Sequence, residues 1–130
     1  MGVRGVALAA CLALWVMGCG APAESAAGAH LLTGEVTGMG GACYADVTGH
    51  KTMLSYDPMD GTVMFDGTEL RPVMWPVGFS ARMAGEQVLQ VLDAHGQLVA
   101  QTGKFYLLVG RFHAGLFMTC MREKPAEVTP

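Results

Sequence analysis

Methionine and histidine are the residue types whose number in this chain suggests metal chemistry. The 130-residue sequence holds ten methionines and four histidines. Thioether sulfur is a soft ligand that suits Cu(I), and imidazole binds copper and zinc. The histidines are His30, His50, His95 and His113. The methionines beyond residue 18 are Met39, Met53, Met59, Met64, Met74, Met83, Met118 and Met121.

The positions of these residues favour packing over copper binding. The methionines are spread along the chain, and many stand in predicted strands, where a flexible apolar side chain fills gaps in a core. The histidines are equally scattered, and each is predicted to lie at the surface or in a turn. We therefore expect no metal site. An extracytoplasmic soft-metal (copper) binding protein that uses Met and His is the alternative.

No set of residues in the sequence predicts an enzyme. The motifs GxSxG, SxxK and HExxH are absent from the sequence, as is a Walker-type glycine loop. Asp57, Asp60 and Gly61 lie close together, but the segment lacks the further oxygen ligands of an EF-hand calcium loop, so it is predicted to be a turn. The expectation is a non-enzymatic protein without a cofactor.

Residues 1–18 have the layout of an export signal. Arg4 is followed by an uncharged apolar run from Gly5 to Met17. A helix of 13 residues rises about 20 Å, which is short of the roughly 30 Å hydrocarbon core of a bilayer. A short basic start, an apolar middle and small residues before a cut are typical of a signal peptide.

The end of this segment, Val16-Met17-Gly18-Cys19, resembles the lipobox of bacterial lipoproteins. The resemblance implies cleavage after Gly18 and acylation of Cys19, with fatty acids such as palmitate. The chain would then be lipid-anchored to the bacterial cell membrane or outer membrane, on the extracytoplasmic side. The alternatives are an ordinary cleaved signal peptide and a retained apolar anchor. Residues 19–29 are small or polar and are predicted to be a flexible tether.

The charge of the chain argues against nucleic acid as a partner. The whole sequence has 8 basic and 11 acidic residues, a net charge of −3, and cleavage would remove Arg4 and leave −4. Nucleic-acid binding needs clustered Lys and Arg to displace counterions. We expect the membrane, through the lipid, and an unidentified envelope protein or glycan as partners.

Export would also fix the state of the remaining cysteines. Cys11 would leave with the signal and Cys19 would carry the lipid, so that Cys43 and Cys120 remain in an oxidising compartment. Two such cysteines are predicted to form a disulfide. A metal site is the alternative, but neither cysteine has a CxxC partner or a Cys/His cluster near it.

Residues 30–124 are predicted to form one small all-β domain, and residues 125–130 a disordered tail. Glycine and Asp-Gly steps recur, and no window holds a helical apolar stripe free of breakers. The clearest elements are two strands, Gln87–Leu92 and Gln97–Gln101, joined by a turn that ends in Gly96. A helical turn is allowed for Phe79–Gly85. Five or six short strands suggest a small antiparallel, partly open barrel.

The stretch from Trp75 to Gly110 resembles small exported bacterial lipoproteins with an OB-like barrel. The shared pattern is a Trp-Pro-x-Gly turn, a hairpin with D-x-x-G-x-x-V-A, and a strand between two glycines. The sequence departs from that pattern at Lys104 and at Gly110-Arg111. The resemblance implies a fold and no activity. Trp75, Phe79 and Tyr106 are a candidate binding face, with Trp75 alternatively the central core aromatic. The predicted function is a non-enzymatic binding or interaction module of the cell envelope.

Overall fold

The computed structural model describes residues 29–35, 47–120 and 124–130, and these residues form an all-β structure without a helix. The predicted all-β class is therefore confirmed. In this part of the chain no helix is long and apolar enough to cross a membrane. The predicted signal peptide, Cys19 and Cys43 lie outside the described residues. So do Met39, Met121 and all of the predicted tether except Ala29.

Eleven strand segments are present in the described residues, where the sequence predicted five or six. Three of the segments are only two or three residues long, and eight strands remain without them. Ser80–Gly85, where a helical turn was allowed, is a strand. The strands are β1 Thr33–Gly34, β2 Thr48–Met53, β3 Ser55–Asp57, β4 Gly61–Phe65, β5 Leu70–Pro76, β6 Ser80–Gly85, β7 Val88–Leu92, β8 Leu98–Gln101, β9 Phe105–His113, β10 Leu116–Thr119 and β11 Ala126–Glu127.

The main sheet is a curled half-barrel built around β9 and β5. On one edge β9 pairs antiparallel with β2, and on the other it pairs with β10 and with β11. β10 then pairs parallel with β5, whose opposite neighbour β4 is antiparallel. β3 pairs with β4, and β1 extends the sheet parallel to the end of β5. β11 lies within the predicted disordered tail.

The curl of the main sheet comes from one bent segment, residues 48–57. Leu54 alone separates β2 from β3, so the first half of this segment pairs with β9 and the second half with β4. At the bend the hydroxyl of Thr52 takes the place of a backbone partner for β4. It accepts a hydrogen bond from the Phe65 amide at 3.3 Å, and its own hydrogen has the carbonyls of Phe65 and Met53 as acceptors, each at 3.4 Å. A side chain therefore bridges the two ends of the sheet.

A second, three-stranded sheet is inserted between β5 and β9. It is an antiparallel meander in the order β6-β7-β8. The turn between β7 and β8 is closed by hydrogen bonds between Asp93 and Gln97 and between Gly96 and Asp93. The hairpin predicted from the glycine-bearing turn is thus confirmed.

One hydrophobic core joins the two sheets. Its largest fully buried side chains include Trp75 and Phe117 from the main sheet and Leu89 from the small sheet. The Trp75 indole donates its Nε1 hydrogen to the Thr62 hydroxyl at 2.8 Å, and both residues have no exposed surface. This pairing satisfies the one polar atom of the indole, and Trp75 is the central core aromatic.

Replacing Thr62 with valine tests this buried pair. The change keeps the shape of the side chain but leaves the indole N–H without an acceptor, so we expect the free energy of unfolding to fall by about 1–3 kcal/mol. Urea denaturation of the wild type and of Thr62→Val measures the loss. In a Trp75→Phe background, which lacks the donor, the same change at Thr62 should cost clearly less. An equal cost in both backgrounds would contradict the pairing.

Candidate functional site

A cleft of about 190 Å³ lies between the β4–β5 turn and the β9–β10 turn. We call it the turn cleft. It combines a carboxylate, a guanidinium, an imidazole and a phenyl ring with the backbone of a tight hairpin. The residues that line it are Asp66, Arg71, Phe112, His113, Ala114 and Gly115.

Asp66 forms the first wall by organising the β4–β5 turn. Its Oδ1 accepts hydrogen bonds from the amides of Thr68 at 2.7 Å and Glu69 at 2.8 Å, and its Oδ2 accepts from Arg71 Nε at 2.8 Å. Gly67 has a φ of +103°, which a glycine adopts without strain. The Glu69 amide, followed by the Arg71 guanidinium, holds the pKa of the Asp66 carboxyl far below its ordinary value.

Arg71 is held in place by two carboxylates. Besides the Asp66 contact, its Nη2 lies 2.8 Å from Glu69 Oε1. These partners keep the pKa of Arg71 raised. Its Nη1 faces the opposite hairpin at Gly115. A methyl group in place of the glycine hydrogen would lie 3.9 Å from that nitrogen. The guanidinium therefore presents a fixed, planar donor edge to the cleft.

The second wall is the two-residue turn between β9 and β10. Ala114 has a φ of +53° and Gly115 a φ of +81°, while His113 and Leu116 pair across the hairpin. Two consecutive positive φ values are typical of a type I′ turn, where Asn-Gly is preferred. Ala114 is the one non-glycine residue with positive φ in the described residues. A left-handed conformation costs an L-residue roughly 1–2 kcal/mol, so this wall is a strained one.

Phe112 connects the cleft to the core. The residue is 40% exposed, and its ring makes edge-to-face contacts with Phe117, at 5.0 Å between centroids, and with His50, at 5.1 Å. His50 also contacts Phe117 at 5.4 Å, and its Nε2 lies 2.9 Å from the Thr48 hydroxyl. The ring of Phe112 is thus fixed by packing while part of its surface remains available to a ligand.

The binding face predicted from Trp75, Phe79 and Tyr106 does not form. Trp75 has no exposed surface, and Tyr106 is 4% exposed. Phe79 is partly buried and stacks on Trp75, with 6.2 Å between ring centroids and 18° between ring planes. All three side chains contribute to the one core. A domain this small needs its largest aromatic side chains to fill its interior.

The histidines and methionines are distributed over separate parts of the fold. His50 belongs to the aromatic cluster, His113 lines the turn cleft, and His95 lies in the β7–β8 turn. His30 is exposed near β1. No group of three His, Cys, Asp or Glu side chains with the arrangement of a metal site occurs in the described residues. Strand register does bring two methionines together, Met74 on β5 and Met118 on β10.

The disulfide between Cys43 and Cys120 stays a prediction, because the structure describes Cys120 alone of the two. Cys120 directly follows β10, is 6% exposed, and donates its amide hydrogen to the Val109 carbonyl at 2.7 Å. Cys43, its predicted partner, lies outside the described residues.

A larger groove of about 350 Å³ runs between β8 and the C-terminal segment. We call it the strand-edge groove, because β8 is the outer strand of the small sheet. Its lining includes two lysines, one glutamate and the Tyr106 ring. The residues are Leu98, Val99, Ala100, Gln101, Lys104, Tyr106, Lys124, Pro125, Ala126 and Glu127.

Neither the turn cleft nor the groove was predicted from the sequence. Asp66-Gly67 is one of the recurring Asp-Gly steps that indicate turns, but the cleft also needs residues that follow about 40 positions later. Comparison with known protein families, with curated proteins and with solved structures gave no match.

The ion pair between Asp66 and Arg71 predicts a pH-dependent contribution to stability. Because the pKa of Asp66 is lowered in the folded state, the contribution is fully present above the unfolded-state pKa of about 4 and is lost as the pH falls toward the folded-state pKa. Asp66→Asn should therefore unfold at a lower urea concentration than the wild type at pH 7. The difference should shrink below pH 4.

Asp93→Asn is the matched control for this measurement. Asp93 also accepts two backbone hydrogen bonds, from His95 and Gln97, and its pKa is lowered mainly by the Gln97 amide, but no guanidinium of the described residues forms a salt bridge with it. Its replacement should cost less at pH 7 than that of Asp66. Equal losses in the two variants would show that Arg71 contributes nothing.

Proposed function

We propose that this protein is a non-enzymatic, lipid-anchored binding module of the bacterial cell envelope, with an OB-like barrel that binds a glycan in the turn cleft. The single observation that carries the proposal is the placement of this cleft on the half-barrel.

The strand order supports the OB-like fold. Counting the bent segment 48–57 as the first strand, β4, β5, β9 and β10 are the second to fifth. In the sheet the fourth strand pairs with the first, the first with the second, and the second with the third. All three pairings are antiparallel. That is the order of a Greek key. The fifth strand lies between the fourth and the third, and a five-stranded, partly open Greek-key barrel is the description of an OB fold.

The location of the turn cleft fits the ligand side of such a barrel. OB folds bind oligosaccharides or oligonucleotides on the face of the second and third strands and on the loops that precede the second and the fifth strands. The β9–β10 turn, which includes Ala114 and Gly115, is the loop before the fifth strand. Asp66 belongs to the connection between the second and third strands, and Arg71 lies on the third strand itself.

The chemistry of the cleft favours a neutral sugar ring. The fixed guanidinium of Arg71 and the His113 imidazole offer hydrogen bonds to hydroxyl groups, and the exposed part of Phe112 offers an apolar surface. Arg71 is already paired with two carboxylates, so a polyanionic ligand gains little from it. A cleft of about 190 Å³ is smaller than the roughly 300–1,000 Å³ of small-molecule sites, which suits one ring at the end of a chain.

The same cleft is poorly equipped for catalysis. Both oxygens of Asp66 are engaged by the turn and by Arg71, and its pKa is lowered, so it cannot donate a proton near neutral pH. Among the described residues that line the cleft, none carries a hydroxyl or thiol nucleophile. A binding role is the function that these groups can support.

Lipid anchoring at Cys19 is supported by the sequence. The apolar run, the Val16-Met17-Gly18-Cys19 segment and the small, polar residues up to Ala29 are together what an acylated, tethered domain requires. An extracytoplasmic site would place the turn cleft where envelope glycans are found.

Titration of the full chain with soluble peptidoglycan fragments and outer-membrane oligosaccharides tests the proposal. We expect saturable binding with NMR shift changes at the amides of Phe112 to Gly115. Arg71→Lys keeps the charge but loses the planar donor edge, so affinity should fall about tenfold. His113→Ala should also weaken binding, whereas His95→Ala, in the turn of the other sheet, should not. Absence of any glycan binding, or equal binding by Arg71→Lys, would contradict the proposal.

Soft-metal binding is the second candidate, favoured by the pairing of Met74 with Met118. The sequence also places Met121 three residues after Met118. Cu(I) prefers thioether ligands, and an exported protein would meet it outside the cytoplasm. If this candidate is right, Cu(I) titration under reducing conditions should give stoichiometric binding that Met74→Leu weakens at least tenfold while Met59→Leu does not. A titration without stoichiometric binding rejects it.

A further inference from the structure

The strand-edge groove is formed by two segments that are far apart in sequence. On one side lies β8, the outer strand of the small sheet, and on the other lies the segment 124–127 that includes β11. Val99 and Ala100 are buried, whereas the Leu98 side chain is 45% exposed. The groove therefore offers an apolar contact along its length as well as polar groups at its margins.

Tyr106 places a hydroxyl donor in this groove. Its oxygen accepts the Gln101 amide hydrogen at 2.8 Å, and this is the one hydrogen bond that the phenol makes among the described residues. The phenol hydrogen thus has no acceptor in that part of the chain, although the residue is only 4% exposed. A phenol, whose ordinary pKa is about 10, keeps its hydrogen at neutral pH, and burial raises the pKa of Tyr106 further. Because Tyr106 lines the groove, this hydrogen can be donated to a ligand oxygen.

The charged residues at the margins of the groove indicate which type of ligand oxygen would bind beside Tyr106. Lys104 and Lys124 are cationic, and Glu127 is the one acidic residue that lines the groove. Glu127 lies 3.6 Å from Lys104, and no carboxylate of the described residues pairs with Lys124. The groove is therefore locally positive in a chain whose net charge is −3. A carboxylate matches both the two lysines and the phenol donor.

The length of the groove indicates an extended ligand. β8 has four residues, which at about 3.3 Å each span roughly 13 Å. The volume of about 350 Å³ lies within the range of roughly 300–1,000 Å³ that encloses a whole small ligand. An isolated carboxylate would fill only the part beside Tyr106. A short peptide in an extended conformation would also contact Leu98.

We propose that the strand-edge groove docks an extended, acidic peptide segment of a partner protein. One of its side-chain carboxylates accepts a hydrogen bond from the Tyr106 hydroxyl and lies between Lys104 and Lys124. An apolar side chain of the same peptide packs on Leu98. This interaction uses none of the residues of the turn cleft, so it is independent of glycan binding.

Fluorescence anisotropy with labelled peptides tests the docking. The probe is an eight-residue peptide that alternates Glu and Val, and its matched control alternates Gln and Val. With the full chain we expect saturable binding of the Glu peptide, weakened by added salt, and at least tenfold weaker binding of the Gln peptide. Equal affinity for the two peptides, or no saturable binding of either, would overturn the proposal.

Two variants and a control locate the interaction. Tyr106→Phe should weaken binding about tenfold, because one hydrogen bond to a charged group is lost. Since this change also removes the acceptor of the Gln101 amide, Lys124→Gln provides a variant outside the core, and it should weaken binding several-fold. Arg82→Gln, on the far edge of the small sheet, is the matched control. A loss in Arg82→Gln as large as in Lys124→Gln would show only a general charge effect and would overturn the site.

Two competition measurements complete the test. Free glutarate should compete only at concentrations far above those of the peptide, because it lacks the contact with Leu98. Glutarate that binds as tightly as the peptide would overturn the peptide assignment in favour of a small acid. Oligosaccharides that occupy the turn cleft should not displace the peptide, and displacement would overturn the independence of the two sites.

Discussion

The bent segment from Thr48 to Asp57 is the feature on which the main sheet depends. Its first half hydrogen-bonds to β9 and its second half to β4, so that one stretch of chain supports both ends of the curled sheet. Leu54 at the bend is fully buried, and its backbone is bound on both sides by Gly103 and Lys104. The buried side chain of Leu54 and the two backbone hydrogen bonds of the same residue hold the bend in place. The half-barrel therefore keeps its curvature, and the turns at its end keep their spacing.

The core explains how the small sheet is held to the half-barrel. Trp75 and Phe79 stack at the connection between β5 and β6, and Leu89 and Val91 of β7 belong to the same buried cluster. The Thr102 hydroxyl accepts the Leu89 amide hydrogen at 2.9 Å and donates to the Gln87 carbonyl at 3.2 Å. These contacts tie the inserted meander to the end of the chain segment that leads into β9. The groove beside β8 is a consequence of this arrangement.

Local patterns in the sequence predicted some elements of the fold well and others not at all. The β7–β8 hairpin followed from its alternation and from Gly96, whereas burial of Trp75 was only the alternative to a place on a binding face. β2 was not predicted, because its inward-facing residues include His50 and Thr52 rather than a run of aliphatic side chains. The turn cleft could not be predicted from the sequence, because it depends on the parallel pairing of β5 with β10, and no local sequence pattern encodes that pairing. The aromatic residues were assigned to a surface because sequence alone does not distinguish a core ring from an exposed one.

The bridge that Thr52 makes to Phe65 has a consequence for motion. Elsewhere in the main sheet neighbouring strands are joined by ladders of backbone hydrogen bonds, whereas this junction relies on a single hydroxyl. Stability varies within a protein, and regions with few backbone bonds open most readily. We therefore expect the Phe65 amide to exchange with solvent sooner than its neighbours in β4. Because Phe65 directly precedes Asp66, each such opening would also change the width of the turn cleft, which Asp66 and Arg71 line.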